Sequence, residues 1–129
     1  MPQRIALLTV VVADYDEAID FYTRKLGFTL LEDTVQSPEK RWVRVAPADS
    51  TGAELLLARA SNEEQATRIG NQTGGRVALF LYTDDLARDY ANLQKHNIVI
   101  ARPPVSQPYG EVLVFADLYG NLWDLIQPA

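Results

Sequence analysis

Two carboxylates recur at matching places in the chain, and they are the side chains best suited to chemistry. Glu54 opens the segment Glu54-Leu55-Leu56, and Asp124 opens the similar segment Asp124-Leu125-Ile126 70 positions later. A carboxylate in an apolar strand can act as a general base or give an oxygen ligand to a divalent cation. We therefore treat Glu54 and Asp124 as candidate catalytic residues and as the ligands of any metal.

The rest of the composition disfavours a transition-metal centre. The chain has no cysteine and one histidine, His96, which falls at the end of a predicted helix, where its charge suits the helix dipole. Zinc sites usually need four ligands that include imidazole or thiolate, and nickel, cobalt and iron share the preference for imidazole. Magnesium needs only one or two carboxylates and water. We expect no cofactor, with a weakly bound divalent metal as the alternative.

An aromatic side chain and a cation share one face of the predicted strand Arg41–Ala46. Strand alternation directs Val43 and Val45 towards the helix side and leaves Trp42 and Arg44 on the opposite face. This pair suits a flat or anionic ligand, through stacking and a charge-assisted hydrogen bond. The alternative is that the tryptophan closes one end of the core.

A second predicted strand, Arg76–Tyr82, supplies further ligand-binding candidates. Alternation puts Arg76 and Tyr82 on the face away from the helix side. Tyr109 follows Pro108 in a loop that could flank a binding site. We predict that Arg76, Tyr82 and Tyr109 line the site, with a solvent-facing Arg76 as the alternative.

Carboxylates on an inner sheet face need compensation, because buried charge must be paired or neutralised. We expect Glu54 or Asp124 to form an ion pair with an arginine, Arg76 first and Arg44 second. Trp123 is adjacent to Asp124, so it points the other way and should pack in the core.

The elements that carry these residues form one pattern written twice. Each half reads strand–helix–strand–strand–strand, and Asp14 and Asp84 each lie 13 positions before the helix stop at Gly27 or Asn97. In the first half, the predicted strands span 5–12, 28–33, 41–46 and 54–58. In the second half, strands span 76–82, 98–101, 112–116 and 122–126, with a helix over 85–96.

Prolines and polar residues mark the connections. Pro103, Pro104 and Pro108 are expected to break the chain between the last half's second and third strands. Ser61-Asn62-Glu63-Glu64 indicates a capping box and a short helix in the linker 60–75, which is either a connector or a lid. We expect one domain over 1–129, with module one at 4–59 and module two at 76–127.

Charge and hydropathy narrow the classes of partner. The chain of 129 residues carries a net charge of −5, which disfavours nucleic acid, since nucleic acid requires a basic face. No apolar run approaches the roughly 18 residues of a membrane span, and the N-terminal residues do not read as a signal peptide. We expect a cytoplasmic protein with a small-molecule partner, no nucleic acid and no membrane.

Two segments match a known family. They are Val12-Ala13-Asp14-Tyr15-Asp16, continued by Phe21-Tyr22 and Leu26-Gly27-Phe28, and the stretch from Phe115 to Leu125, with Leu118 where the family commonly has proline. The chain therefore resembles the vicinal oxygen chelate superfamily of glyoxalase I, bleomycin-resistance proteins and extradiol dioxygenases. The resemblance implies an α+β fold of two βαβββ modules, whose sheets form a curved cleft with helices outside, and a homodimer.

The resemblance also bears on function. Metal-dependent members usually have a histidine on the first strand of each module, and the positions here hold Leu7 and Ala78. A metal-independent, bleomycin-resistance-like binding protein is thus implied, with Glu54, Arg76 and Asp124 as the floor of the site. The alternative is a glyoxalase-like lyase or isomerase with Glu54 or Asp124 as general base, with or without a weakly bound metal. A third interpretation is a protein–protein interaction module.

Overall fold

A computed structural model describes residues 2–129 and divides the chain into two compact units, at residues 1–69 and 70–129. Each unit holds one four-stranded mixed sheet and one main helix, so the α+β prediction of two βαβββ modules is confirmed. No helix among residues 2–129 combines the length and the apolar character that crossing a membrane requires.

Module one is built on a sheet of order β1-β4-β3-β2, in which only the β1–β4 pair is parallel. Its elements are β1 (Leu7–Val12), α1 (Tyr15–Asp20), β2 (Thr29–Ser37), β3 (Lys40–Ala46), β4 (Glu54–Arg59) and the short α2 (Glu63–Ala66). The side chain of Asp14 accepts a hydrogen bond from the Glu17 amide at 2.9 Å, which fixes the start of α1. α1 continues into a π-helical turn, Phe21–Lys25.

The capping of α2 differs from the sequence prediction by one residue. Asn62, rather than Ser61, is the N-cap, and its side chain accepts from the Gln65 amide at 2.8 Å. The Gln65 side chain reaches back to accept from the Ser61 amide, also at 2.8 Å. Asn62 and Gln65 each accept from one backbone amide at the start of α2, but Gln65 bonds to Ser61, the residue before the N-cap, so the contacts differ from a standard capping box.

Module two repeats the topology with the order β5-β8-β7-β6, in which only the β5–β8 pair is parallel. Its elements are β5 (Leu79–Tyr82), α3 (Leu86–Lys95), β6 (Ile100–Gln107), β7 (Gly110–Ala116) and β8 (Leu122–Pro128). Asp85 caps the start of α3 by accepting from the Arg88 amide at 3.0 Å. His96 lies at the C-cap, as predicted.

The prediction that prolines break the chain before β7 was wrong for two of the three. Pro103 and Pro104 lie inside β6, and only Pro108 lies in the turn that follows. β6 is the edge strand of its sheet, where a missing amide proton need not cost a ladder bond. The pairing register also shifts between Arg102 and Val105, so the prolines occupy an irregularity of an edge strand.

Each module buries one face of its sheet. In module one, Val43, Val45 and Leu57 are completely buried, and α1 contacts their strands β3 and β4. In module two, the rings of Phe115 and Trp123 stack with centroids 5.7 Å apart, which confirms Trp123 as a core residue. The opposite sheet faces carry the polar and aromatic candidates.

Candidate functional sites on the two sheet faces

Module one holds a carboxylate–guanidinium–carboxylate cluster at the centre of its sheet. Val43 and Val45 are buried while Trp42 and Arg44 remain half-buried, so the predicted alternation of β3 is confirmed. Arg44 Nη1 donates to Glu54 Oε1, and Arg44 Nε donates to Glu32 Oε1 at 3.0 Å.

The pairing prediction is therefore confirmed for Glu54, with the second-ranked arginine as partner. Arg44 forms ion pairs with Glu54 and Glu32, whereas Arg76 makes none among residues 2–129. The hydrogen bond from Arg44, followed by one from Thr34, holds the pKa of Glu32 below its usual range. The two carboxylates raise the pKa of the Arg44 guanidinium, so this cation is committed to its neighbours.

Glu32 did not appear among the sequence candidates. Its strand was predicted, but the position gains significance only from the pairing register, in which Glu32 lies opposite Arg44. Nothing in the local sequence around Glu32 fixes that register. Strand alternation could have predicted which sheet face carries Glu32, but it could not have identified Arg44 as the partner.

Module two presents a different row of side chains on the corresponding face. One rung of backbone partners crosses all four strands, and its members are Arg102 on β6, Val114 on β7, Asp124 on β8 and Phe80 on β5. Arg102 and Asp124 are thus separated by one intervening strand, a spacing of roughly 9–10 Å between their backbones. Within residues 2–129, Asp124 forms no ion pair and no side-chain hydrogen bond.

Asp124 therefore differs electrostatically from Glu54. Desolvation by burial raises the pKa of the Asp124 carboxyl, and the positive charge of Arg102 offsets this only in part. A half-buried carboxylate without an ion pair can accept a hydrogen bond or a proton from a bound molecule.

The structure also corrects the idea that Glu54 and Asp124 occupy equivalent positions. Arg44 on β3 lies opposite Leu56, whereas Val114, 70 positions after Arg44, lies opposite Asp124. Asp124 therefore corresponds to Leu56, and Glu54 corresponds to Leu122.

The cause is a difference in loop length. The β3–β4 connection spans residues 47–53, while the β7–β8 connection spans 117–121 and is two residues shorter. A shift of two residues keeps a side chain on the same face of a strand. Both carboxylates therefore lie on the face away from the core, but one rung apart in their modules.

Two adjacent depressions mark this face of module two. The first, of about 360 Å³, is lined by Arg76, Phe80, Arg102, Leu122 and Asp124 among others. The second, of about 380 Å³, is lined by Val105, Tyr109, Val112 and Val114, and it shares Arg102 and Asp124 with the first. Of the predicted ligand-binding residues, Arg76 and Tyr109 thus line a depression together with Asp124.

Large aromatic side chains stand exposed at the same face. Phe80 is 63% exposed, Tyr82 is 70% exposed and Tyr109 is 55% exposed. Tyr82 shares the Phe80 face by alternation but lines neither depression. Arg76 precedes β5, so the strand alternation from which its position was predicted does not extend to this residue. Arg76 nevertheless lines the first depression.

Phe80 and Arg102 are the residues that the sequence candidates omitted. The alternation of Arg76–Tyr82 already put Phe80 on the correct face, so its signal was available. Arg102 was hidden because the following prolines indicated a break rather than a strand.

The residues at the expected metal-binding positions of this chain do not suit a transition metal. Leu7 lies beside Glu54 in the β1–β4 pairing, and the Ala78 amide bonds to the Leu122 carbonyl at 2.8 Å, so neither strand offers an imidazole. No group of three or more His, Cys, Asp or Glu side chains comes together within residues 2–129. Among Leu7, Glu54 and the corresponding residues Ala78 and Leu122, only Glu54 carries a side chain that could bind a metal. One carboxylate is a poor donor set for zinc, nickel or iron.

Comparison with known proteins gives consistent matches over the full chain. Residues 4–125 match the model of the Glyoxalase/Bleomycin resistance protein/Dioxygenase superfamily. An uncharacterised protein of Shewanella frigidimarina is 60% identical over 98% of this chain and 95% of its own length.

Solved structures agree with this match. UcmS2 superposes with a TM-score of 0.84 and 30% identity, over 98% of both chains. TnmS3, an antibiotic-binding protein from Streptomyces sp. CB03234, superposes with a TM-score of 0.80 and 31% identity, covering 99% of this chain and 98% of its own.

Proposed function

The chain belongs to the glyoxalase/bleomycin resistance protein/dioxygenase superfamily, and we propose that it is a metal-independent member that binds a flat, aromatic small molecule. The observation that carries this proposal is the exposure of Phe80, Tyr82 and Tyr109 on one sheet face, next to two depressions. The description of TnmS3 as an antibiotic-binding protein supports a binding role.

Covering the exposed rings on this face contributes substantial favourable free energy to ligand binding. A phenylalanine side chain buries about 150–250 Å² when fully covered. With Phe80 63% exposed, more than half of that area is available. At about 25 cal/mol per Å², covering all of it contributes roughly 2–4 kcal/mol to binding. Stacking on Tyr109 adds to this sum.

The module one face is considered by itself. Trp42 is half-buried and offers a stacking surface on this face. Arg44 is already bound to Glu32 and Glu54, so we infer that it positions these carboxylates and is not itself a ligand cation.

Differential scanning fluorimetry against a panel of planar aromatic compounds, antibiotics among them, tests the proposal. We expect at least one compound to raise the melting temperature, since a ligand that binds only the folded state stabilises it. Phe80→Ser should abolish that shift. Val35→Ser is the matched control, because Val35 is 72% exposed but lies on β2. A shift that survives Phe80→Ser would contradict the proposal, and so would a shift that is lost equally in Val35→Ser.

A glyoxalase-like lyase or isomerase is the second candidate, and the state of Asp124 favours it. Glu54 is engaged by Arg44, whereas Asp124 has a pKa raised by burial and no ion pair among residues 2–129. In this mechanism Asp124 takes the proton of a carbon acid beside a carbonyl. Arg76 or Arg102 then stabilises the oxygen of the resulting enolate.

Proton exchange tests the enzymatic alternative. The enzyme should catalyse exchange of the carbon-bound proton of an α-hydroxyketone or hemithioacetal with D₂O, as followed by NMR. Asp124→Asn should remove exchange, and Glu54→Gln should retain it. Exchange that persists in Asp124→Asn would exclude this residue as the base.

A further inference from the structure

We propose that the ligand of module two is amphiphilic: a planar apolar body carrying a single anionic group, such as a carboxylate or a phenolate. The inference rests on the proposed binding function and specifies the chemistry of its ligand. Its basis is the arrangement of Arg76, Arg102, Asp124 and the two depressions.

The local charge balance favours an anion. The first depression is lined by two guanidinium groups, Arg76 and Arg102, and one carboxylate, Asp124. Neither guanidinium makes an ion pair or a side-chain hydrogen bond among residues 2–129. Arg44 in module one makes two ion pairs, whereas Arg76 and Arg102 have guanidinium donors left for a ligand. A guanidinium can bind both oxygens of a carboxylate in a bidentate contact, or donate to the single oxygen of a phenolate.

The geometry of the rung explains why Arg102 does not pair with Asp124. Arg102 is the backbone partner of Val114, and Val114 is the partner of Asp124, so one strand lies between the two charged residues. Valine is short, and it leaves room above the sheet between the guanidinium and the carboxylate. Arg102 therefore influences Asp124 through space without contacting it.

The second depression supplies the apolar end of the site. Val105, Val112, Val114 and Tyr109 line it, and Arg102 and Asp124 stand at the boundary that it shares with the first depression. A molecule that spans both depressions meets aliphatic side chains and a tyrosine ring at one end and guanidinium groups at the other. Apolar area drives its binding, and the anionic group fixes its orientation.

Asp124 gives the site an additional selective element. Since it lies beside Phe80 in the β5–β8 pairing, a ring stacked on Phe80 lies within reach of its carboxyl group. A hydroxyl or amide donor on that ring would satisfy the Asp124 oxygens, which accept no hydrogen bond within residues 2–129. The favoured ligand therefore carries a donor near the ring and its negative charge towards Arg102.

Three isosteric probes separate charge from shape: 2-naphthoate, 2-naphthamide and 2-naphthylmethylammonium. By isothermal titration calorimetry at neutral pH, we expect naphthoate to bind at least about tenfold more tightly than the amide, the scale of one charge-assisted contact. The ammonium compound should bind most weakly. Arg76→Gln and Arg102→Gln should each weaken naphthoate binding more than amide binding and so reduce the naphthoate–amide preference.

Lys95→Gln is the matched control, because it also removes one positive charge from module two but lies in the last turn of α3. It should leave the preference intact. Loss of the preference in Lys95→Gln as well would show that net charge, and not the site, is responsible and would overturn the inference.

Other outcomes separate this inference from the proposed function. Tightest binding of the ammonium compound would overturn the inference, because it would make Asp124 dominant. Equal affinity for all three probes, lost in Phe80→Ser, would overturn the anionic preference and leave aromatic binding standing. Absence of binding by all three would overturn the inference, while the fluorimetry panel decides the proposed function on its own.

Discussion

Replacing Arg44 by methionine should destabilise module one more than the loss of a single surface charge usually does. Methionine keeps most of the apolar stem of the side chain and removes the guanidinium. Two carboxylates, Glu54 and Glu32, then share one sheet face without compensation. The side chain of Arg44 is 27% exposed, and those of Glu54 and Glu32 are 26% and 35% exposed.

The magnitude follows from this partial burial. Exposed ion pairs contribute about 0.2–1 kcal/mol each, whereas breaking a buried pair costs about 3–5 kcal/mol. An intermediate loss of about 2 kcal/mol is expected, chiefly from the Arg44–Glu54 pair, which is the less exposed of the two. With an unfolding entropy of about 2.1 cal/mol/K per residue over 129 residues, the melting temperature should fall by roughly 7 °C.

Urea denaturation and thermal melts of Arg44→Met measure this loss, and Arg24→Met is the matched control. Arg24 pairs with Asp20 at 2.8 Å on the helix surface, with side-chain exposures of 59% and 50%. The control should lose much less stability, because solvent screens this exposed pair. A double-mutant cycle with Glu54→Gln should give a coupling of at least about 1 kcal/mol.

The acid side of the stability curve supplies a second readout. Since hydrogen bonds from Arg44 lower the pKa of Glu32 in the folded state, its ionised form contributes stability above its unfolded pKa. That contribution is lost as the pH falls through the folded pKa. Arg44→Met should therefore lose less stability than the native chain on acidification. Equal losses for Arg44→Met and Arg24→Met, at neutral and at acid pH, would refute the assignment of the cluster.

Three further predictions concern the chain as a whole. Gly70→Ala should destabilise the protein much more than Gly74→Ala. Both glycines have a positive φ, of 72° and 67°, but a Cβ at Gly70 would lie 1.8 Å from the Tyr119 carbonyl oxygen, whereas a Cβ at Gly74 would have no atom within 4 Å. Urea denaturation should give a loss of about 1 kcal/mol for Gly74→Ala and at least twice that loss for Gly70→Ala. Asp124→Asn should be more stable than the native chain at neutral pH. Burial raises the pKa of Asp124 in the folded state, so the stability of the native protein falls as the pH rises through that pKa. Thermal melts at neutral pH and near pH 3 should show the advantage of the variant only at neutral pH. Light scattering should give a mass near twice 14.4 kDa for a homodimer, and a monomer would contradict this expectation.

Much of the fold was accessible from sequence because its signals are local. The N-cap at Asp14, the alternation of β3 and the core position of Trp123 each follow from residue types and spacing. The spacing of Asp14–Gly27 and Asp84–Asn97 indicated the duplication, although the N-cap that corresponds to Asp14 is Asp85, one residue after Asp84. These features depend on neighbours within a few positions along the chain.

The neighbours of each site residue depend on the pairing register of the strands, which the local sequence does not encode. The repeat of Glu54 and Asp124 at 70 positions indicated equivalence, but a shorter β7–β8 loop moves Asp124 to the Leu56 position. Arg102 escaped attention for a related reason, since an edge strand tolerates prolines that a central strand would not. Both errors arise where tertiary context overrides a local pattern.

The most direct test of the central claim is an NMR titration of the ¹⁵N-labelled protein with the tightest aromatic compound from the fluorimetry panel. Binding at the proposed face predicts that the largest amide shift changes occur at Phe80, Arg102 and Tyr109, with smaller changes along α3. Changes confined to α3 or to other residues outside the module two sheet face would contradict the account, as would the absence of any saturable change.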